Sequence, residues 1–245
     1  MNGTNTPVGI VLAGGFGTRL RGLHPDCPKP LIPVSGRPFI DWVLRWFGKQ
    51  GVSEFIVSLG HLAEVAQQHF AQKPLNGITV KTVVETEPLG TGGAIRCAWN
   101  ACADRSVLVL NGDSLLLADF APVWNLWRAT TAEAVVVGVY QQDASRFGTL
   151  QFDPEKRLLA FNEKQPGAGV INAGIYLFRP TLLADYPSAT PLSVERDVFP
   201  QWLQQGRDIR VAVLEGPFLD IGLPESLASA EEFLRLNWPE EFAAL

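Results

Sequence analysis

The chain has 245 residues, a length that suits one large domain or two small ones with a core of ordinary size. An apolar fraction of 47% beside 18% charged residues excludes a disordered chain, and a net charge of −5 excludes a general nucleic-acid binder, so an anionic ligand must be met by local cations. No stretch approaches the roughly 18 apolar residues of a membrane span, and the N-terminus has no signal-peptide pattern. Cys27, Cys97 and Cys102 form no CxxC pair, and His24, His61 and His69 join no zinc motif; free thiols in a reducing cytoplasm, with no membrane partner, are the expectation.

In chain order, "VGIVLA" at 8–13 is a short apolar run bounded by glycine, as in a buried parallel strand. "PFIDWVLRWFGKQG" predicts a helix with proline in its first turn and Gly51 as its stop. Its polar residues Asp41, Arg45 and Lys49 recur every four positions, which predicts one solvent-facing stripe with Trp42, Trp46 and Phe47 in the core. "EFIVSLG" reads as a second strand, "AEVAQQHF" as a helix, "TVKTVVE" as a third strand ending at Glu85, and "GGAIRCAWNACA" as a helix. "SVLVLNGD" is a fourth strand with a polar tip, Asp119 caps the helix carrying Trp124 and Trp127, and "AVVVGVY" is a fifth strand. This alternation predicts an α/β fold: a doubly wound, mixed but mainly parallel sheet with right-handed crossovers.

Beyond about residue 145 the pattern changes. "GTLQFD" and "RLLAFNE" alternate and are joined by "PEK", which predicts a hairpin. "VINAGIYLFRP" is a strand, "SVERDVFPQWLQQG" a helix, "IRVAVLEG" a strand and "PESLASAEEFLRLN" a closing helix. The second half reads as an inserted substrate lobe that folds back on the first sheet. Trp238 and Phe242 either form an interface, as in a homodimer, or pack back on the chain.

In open parallel sheets ligands bind beyond the C-terminal strand ends. Three glycine-bearing segments converge there: the loop in "LAGGFGTRLRGLHPDCPKPL", "ETEPLGTGGA" after the third strand, and "NGD" after the fourth. The first has no Gly-Lys-Ser/Thr of a Walker loop, and Leu20 stands where a dinucleotide fingerprint has its third glycine. Tight turns are the simpler account of any one segment; three at one edge point to a ligand. A nucleoside triphosphate fits them. Backbone N–H groups of Gly15 and Gly17 cradle phosphates, while Arg19 and Lys29 add a planar fork and a point charge. Pro28 and Pro30 are expected to hold Lys29 on a stiff extended segment. Asp113 at an apolar strand tip and Asp220 in "FLDIG" supply hard oxygen ligands for Mg²⁺; for Asp113 alone, helix capping is the alternative.

The "LAGGFGTRL…PKPL" signature resembles that of the sugar-1-phosphate nucleotidylyltransferases, the NDP-sugar pyrophosphorylases. The resemblance continues through "EPLGTGGA", "NGD", "FNEK", "INAGIYLF" and "FLDIG". Within that family the chain is most similar to the bacterial D-glycero-α-D-manno-heptose 1-phosphate guanylyltransferases. The resemblance implies one nucleotidyltransferase domain, with 1–145 as its nucleotide-binding half and 146–245 as its sugar-binding half. It implies GTP and a sugar 1-phosphate as substrates, Mg²⁺ as cofactor, and a GDP-heptose for bacterial surface polysaccharide as product. Leu12, Gly14, Gly15, Gly17, Thr18, Glu85, Gly90 and Asn111 would contact the nucleotide, with Glu85 and Gly90 in the base-reading loop. Arg19, Lys29 and Asp113 would be catalytic, and Asp113 and Asp220 the metal ligands. Gly148, Glu163, Lys164 and Asn172 would meet the sugar phosphate.

Relatives that use thymidine or uridine nucleotides often carry glutamine where this chain has Glu85, and a carboxylate suits the adjacent N1–H and N2–H₂ donors of guanine. Mannose-type guanylyltransferases and uridylyltransferases would use the same chemistry with other pockets. A Mg²⁺-dependent glycosyltransferase would show a DxD pair where "NGDS" has one aspartate, and a non-catalytic nucleotide sensor would lack the cations and metal ligands kept here.

Overall fold

The computed structural model describes residues 6–244 except 21, 103, 163–165, 181, 185 and 188–189. In chain order the strands are β1 (Val8–Ala13), β2 (Pro33–Val34), β3 (Arg37–Pro38), β4 (Glu54–Leu59), β5 (Thr79–Val84), β6 (Val107–Asn111), β7 (Ser114–Leu116), β8 (Ala134–Gln141), β9 (Thr149–Phe152), β10 (Leu158–Asn162), β11 (Gly169–Phe178), β12 (Ile209–Leu214) and β13 (Phe218–Asp220). The α-helices are α1 (Phe39–Lys49), α2 (Ala63–Gln72), α3 (Gly90–Trp99), α4 (Ala121–Ala129), α5 (Phe199–Gln204), α6 (Pro224–Ala228), α7 (Ala230–Asn237) and α8 (Pro239–Phe242). None is long and apolar enough to cross a membrane, among the described residues.

The chain forms two compact units, each assembled from separate segments. The first comprises 1–88, 110–117 and 217–245; the second comprises 89–109 and 118–216.

In the first unit β1, β4 and β5 run parallel, with Ala13 opposite Leu59 and Leu59 opposite Val84. Three strands therefore end at one level, and whatever follows them is placed side by side. β1 and β4 are near-continuous buried apolar runs, whereas β5 at the sheet edge (TVKTVV) stays half-exposed. Trp42, Val43, Leu44 and Phe47 of α1 are buried. Gly51 ends that helix at φ +95°, a left-handed conformation that suits glycine.

The expected wet stripe of α1 is only partly solvent-facing: Asp41 is buried, Arg45 half-buried and Lys49 exposed, and all three meet charge partners. Asp41 is buried and its Oδ1 lies 2.9 Å from His69 Nε2 of α2. Arg45 and Lys49, together with Arg37, converge on Glu241 of α8. Trp238 is 1% exposed and meets Trp42 and Trp46 edge-on, so the C-terminal aromatic packs back on the chain. A four-residue polar repeat reports a polar face, and here that face is occupied by charge partners from distant sequence. The closing helix is also not continuous: it breaks at Ser229 between α6 and α7, and after a second break at Trp238 Pro239 supplies the first turn of α8.

A short ribbon went unseen in the sequence. β7 and β13 pair antiparallel, setting Asp220 opposite Ser114.

In the second unit β8 is flanked by β12, parallel, and β11, antiparallel. β9 joins β11, and β10 closes the expected β9–β10 hairpin. The core holds Val135, Val136, Phe178, Phe199 and Trp202. The helix expected over "SVERDVFPQWLQQG" opens as a five-residue π-turn, Val194–Val198, before α5. Pro200 lies in the first turn of α5, where its missing N–H costs nothing.

Candidate active site

The level strand ends of the first unit set Gly14, Gly60 and Glu85 together. A Cβ at Gly14 would lie 2.5 Å from Glu85 Oε1, and one at Gly60 would lie 2.6 Å from the Gly14 carbonyl oxygen. Gly60 faces backbone and leaves no room for a methyl, whereas a methyl at Gly14 would push the Glu85 carboxylate aside. Glu85 follows β5; its N–H donates to the Leu59 carbonyl at 2.8 Å and its Oε1 accepts the Ser58 hydroxyl at 2.9 Å. Ser58 is wholly buried, so this bond fixes the direction of the carboxylate. The Leu12 carbonyl accepts the Gly112 N–H at 3.0 Å, which holds the "NGD" turn after Asn111 against the end of β1.

Beyond Gly14 the chain turns at Gly17, whose φ is +56° and whose carbonyl accepts the Leu20 N–H at 2.9 Å. A Cβ at Gly17 would stand 3.0 Å from Lys29 Cβ, so the glycine loop and the lysine are packed against one another. They border an open cleft of about 250 Å³, lined by Gly15, Gly17, Thr18 and Arg19 from the loop and by Lys29, Asp113 and Gly222 from elsewhere in the unit. Arg19 is exposed. Lys29 opens a short 3₁₀ turn rather than an extended segment: the Leu31 N–H donates to the Pro28 carbonyl at 2.8 Å. The turn, with a proline at each flank, supplies the stiffness expected of an extended piece.

The β7–β13 ribbon unites the two aspartates. Ser114 Oγ lies 3.2 Å from Asp113 Oδ1 and 3.3 Å from Asp220 Oδ2. Asp220 Oδ1 accepts the Gly222 N–H at 3.0 Å, and Lys29 Nζ donates to Asp113 Oδ2. Burial, and then the charge of Asp113, pushes the Asp220 carboxyl above its ordinary pKa, so two like charges are held in one desolvated place. Such a pair of hard oxygen donors suits Mg²⁺, which keeps waters and substrate phosphates and needs only one or two carboxylates. Among the described residues no group of three or more His, Cys, Asp or Glu could hold a metal ion.

Of the sequence-predicted residues, Leu12, Gly14, Gly15, Gly17, Thr18, Arg19, Lys29, Glu85, Asn111, Asp113 and Asp220 all fall in the first unit. Gly90, Gly148 and Asn172 fall in the second. Gly90 has φ +66°, and a Cβ there would lie 2.5 Å from the Leu192 carbonyl. The Gly148 carbonyl accepts the Asn172 N–H at 2.8 Å, so these two are neighbours. Glu163 and Lys164 lie outside the described residues. Sequence reading passed over Ser58, Ser114 and Gly222. Each left a trace: the one hydroxyl in an apolar strand, the residue after Asp113, and the glycine of "FLDIG".

Residues 8–236 match the family of nucleotidyl transferases. A D-glycero-α-D-manno-heptose 1-phosphate guanylyltransferase of Aneurinibacillus thermoaerophilus is 30% identical over 227 residues, 92% of this chain and 97% of that one. A mannose-1-phosphate guanylyltransferase of Mycobacterium tuberculosis is 33% identical over 228 residues, 92% of this chain but 62% of that one. Among solved structures, HddC from Yersinia pseudotuberculosis complexed with GMP-PN superposes with a TM-score of 0.82 at 30% identity, covering 93% of this chain and 99% of that one. The fold is thus the expected α/β class, a mixed, mainly parallel sheet with flanking helices.

Proposed function

The chain belongs to the nucleotidyl transferase family, and from that premise we propose that it transfers GMP from GTP to a sugar 1-phosphate, releasing pyrophosphate. The observation that carries this reading is the cleft of the first unit, where the glycine loop, Arg19, Lys29 and the Asp113–Asp220 pair meet. A site rich in backbone N–H groups and cations, with two carboxylates for a metal, is built for a polyphosphate.

Gly15 and Gly17 offer backbone N–H groups to the phosphates, and Arg19 stands where its fork can follow charge moving onto the leaving pyrophosphate. Asp113 and Asp220 would hold Mg²⁺, which when bound neutralises charge on the reacting phosphates and fixes their geometry. Lys29 already reaches Asp113, so its ammonium stands beside that position and can turn to a phosphate oxygen. The nucleophile, a phosphate oxygen of the sugar 1-phosphate, is anionic near pH 7, since such a group loses its second proton with a pKa of about 6. No general base is then needed. The residues lower the barrier by screening two anions and holding them in line.

Glu85 reads guanine: Ser58 holds its carboxylate in one direction, and N1–H and N2–H₂ of guanine form a matching donor pair. Gly148, Glu163, Lys164 and Asn172 take the sugar phosphate, with Lys164 on its phosphate. Among sugars, D-glycero-α-D-manno-heptose 1-phosphate is favoured, because the heptose-type relative is matched over nearly its whole length. Mannose 1-phosphate is the second reading, favoured by the slightly higher identity of the mannose-type relative. A GDP-heptose made this way would serve bacterial surface polysaccharide. A pyrophosphate-release assay across the common NTPs and a panel of sugar 1-phosphates tests the proposal. GTP with the heptose substrate should give the highest kcat/KM; a preference for UTP or dTTP would overturn the guanylyl assignment.

A further inference from the structure

Asn172 sits at an irregularity in the β11–β8 ladder, where the register shifts between Asn172 and Tyr176 and Gly174 takes φ +70°. Bulges of this kind re-aim a side chain. Here both ends of the Asn172 carboxamide are tied: Oδ1 accepts the Gly174 N–H at 3.0 Å, and Nδ2 donates to the Tyr176 hydroxyl at 2.7 Å. Tyr176 is fully buried, and its hydroxyl donates a hydrogen bond to Glu195 Oε1 at 2.8 Å. Glu195 Oε2 accepts from Thr91 at 3.1 Å and from Ser193 at 3.0 Å. Thr91 Oγ1 in turn accepts the Val194 N–H at 2.8 Å.

Each bond has one permitted direction. Glu195 only accepts, so Tyr176 must donate to it and is left with lone pairs alone for Asn172. Asn172 must therefore point Nδ2, not Oδ1, at the tyrosine. Burial, and then the charge of Glu195, holds the Tyr176 phenol well above its ordinary pKa, so the donor persists. The π-turn carries Glu195 to this position, and π-turns mark functional sites more often than ordinary helix does. The other end of the chain of bonds reaches Thr91, next to Gly90 in the segment expected to read the base. Gly92 N–H to the Leu192 carbonyl and Leu192 N–H to the Leu89 carbonyl, both 2.8 Å, stitch the same two segments together.

We propose that Glu195 and Tyr176 are positioning residues that lock the Asn172 carboxamide in one orientation, presenting its second N–H as a donor to an oxygen of the sugar 1-phosphate. This rests on the reading of Asn172 as a sugar-phosphate contact. The role of Tyr176 and Glu195 is to fix the orientation, not to touch substrate.

The test compares Asn172→Ala, Tyr176→Phe, Glu195→Gln and Glu195→Ala in the full-length enzyme. Steady-state KM for GTP and for the sugar 1-phosphate is read together with the side-chain amide signals of selectively ¹⁵N-Asn-labelled protein. Tyr176→Phe should raise the sugar 1-phosphate KM about tenfold, the scale of one hydrogen bond, and leave the GTP KM within about twofold. The Asn172 Nδ2 proton that faces position 176 should shift upfield and lose the exchange protection given by the tyrosine acceptor. Glu195→Gln, which keeps an acceptor for Tyr176, should recover most of what Glu195→Ala loses. A raised sugar KM in Asn172→Ala with no change in Tyr176→Phe would overturn the relay alone. Equal rises in both KM values would reduce it to general packing. An unchanged sugar KM in Asn172→Ala would remove its premise, and a wild-type enzyme inert toward every sugar 1-phosphate would refute the functional reading first.

Discussion

Ser114 and Asp220 face one another across the β7–β13 ribbon, and the Ser114 hydroxyl reaches Asp113 as well. Two carboxylates, one from the middle of the chain and one from near its C-terminus, are brought together through three residues of antiparallel pairing, and this is the pair we propose to hold Mg²⁺. Asp113→Asn should therefore lower kcat by on the order of a hundredfold, the cost of one preorganised electrostatic group. Mn²⁺ titrated into the protein with GTP, followed by electron paramagnetic resonance, should show weakened binding in Asp113→Asn and in Asp220→Asn. Full turnover in excess EDTA would remove the metal from the account.

Arg19 lines the cleft from an exposed position, and no ion pair is seen for it among the described residues. Its removal should cost the fold little, in contrast to Lys29, whose loss strips Asp113 of its counter-charge. Arg19→Ala should leave the melting temperature near wild type and lower kcat by on the order of a hundredfold. Binding of the NDP-sugar product, measured by calorimetry, should weaken by less than kcat falls. A collapse of product affinity with kcat intact would make Arg19 a binding residue only.

Glu85→Gln keeps the volume and the Ser58 contact but loses the charge. It should cut kcat/KM for GTP by about tenfold and narrow the gap between GTP and ITP, which lacks the N2 amine. Competition kinetics with the two nucleotides read this directly, and an unchanged GTP-to-ITP ratio would mean that guanine is read by other groups.

Much of the cleft's lining was legible because a glycine loop with nearby cations leaves a compact trace. Glycines beside an arginine and a proline-flanked lysine all sit between Gly14 and Pro30. The strand–helix alternation was legible for a similar reason: β1, β4 and β8 are mostly apolar, buried runs, and such a signal is local. The β7–β13 ribbon was not, because strands of three residues carry no periodicity. Asp41, Arg45 and Lys49 misled because a polar stripe looks the same whether water or a charge partner covers it. Tyr176 in an apolar strand reads as core, and it is core; only its hydroxyl bonds to Asn172 and Glu195 suggest the positioning role proposed for it. The π-turn at Val194–Val198 was equally hidden, since its residues suit an α-helix as well.

Glu241 offers a control far from substrate chemistry. Its carboxylate is 11% exposed and receives Arg37 at 2.9 Å, Arg45 at 3.2 Å and Lys49 at 3.5 Å. Glu241→Gln should destabilise the protein by roughly 1–3 kcal/mol, below the full cost of breaking a buried pair because Arg45 and Lys49 keep solvent. Thermal unfolding should shift down by several degrees, and kcat at a temperature well below the transition should stay within about twofold of wild type. An undiminished melting temperature would show that α8 is held by Trp238 and Phe242 alone.

Position-specific labelling of GTP tests the central claim most directly. With [α-³²P]GTP and D-glycero-α-D-manno-heptose 1-phosphate, the label should appear in a GDP-sugar as pyrophosphate accumulates in equal amount. With [γ-³²P]GTP it should appear only in pyrophosphate. Transfer of the γ label to the sugar, or α label recovered only as free GMP, would contradict nucleotidyl transfer.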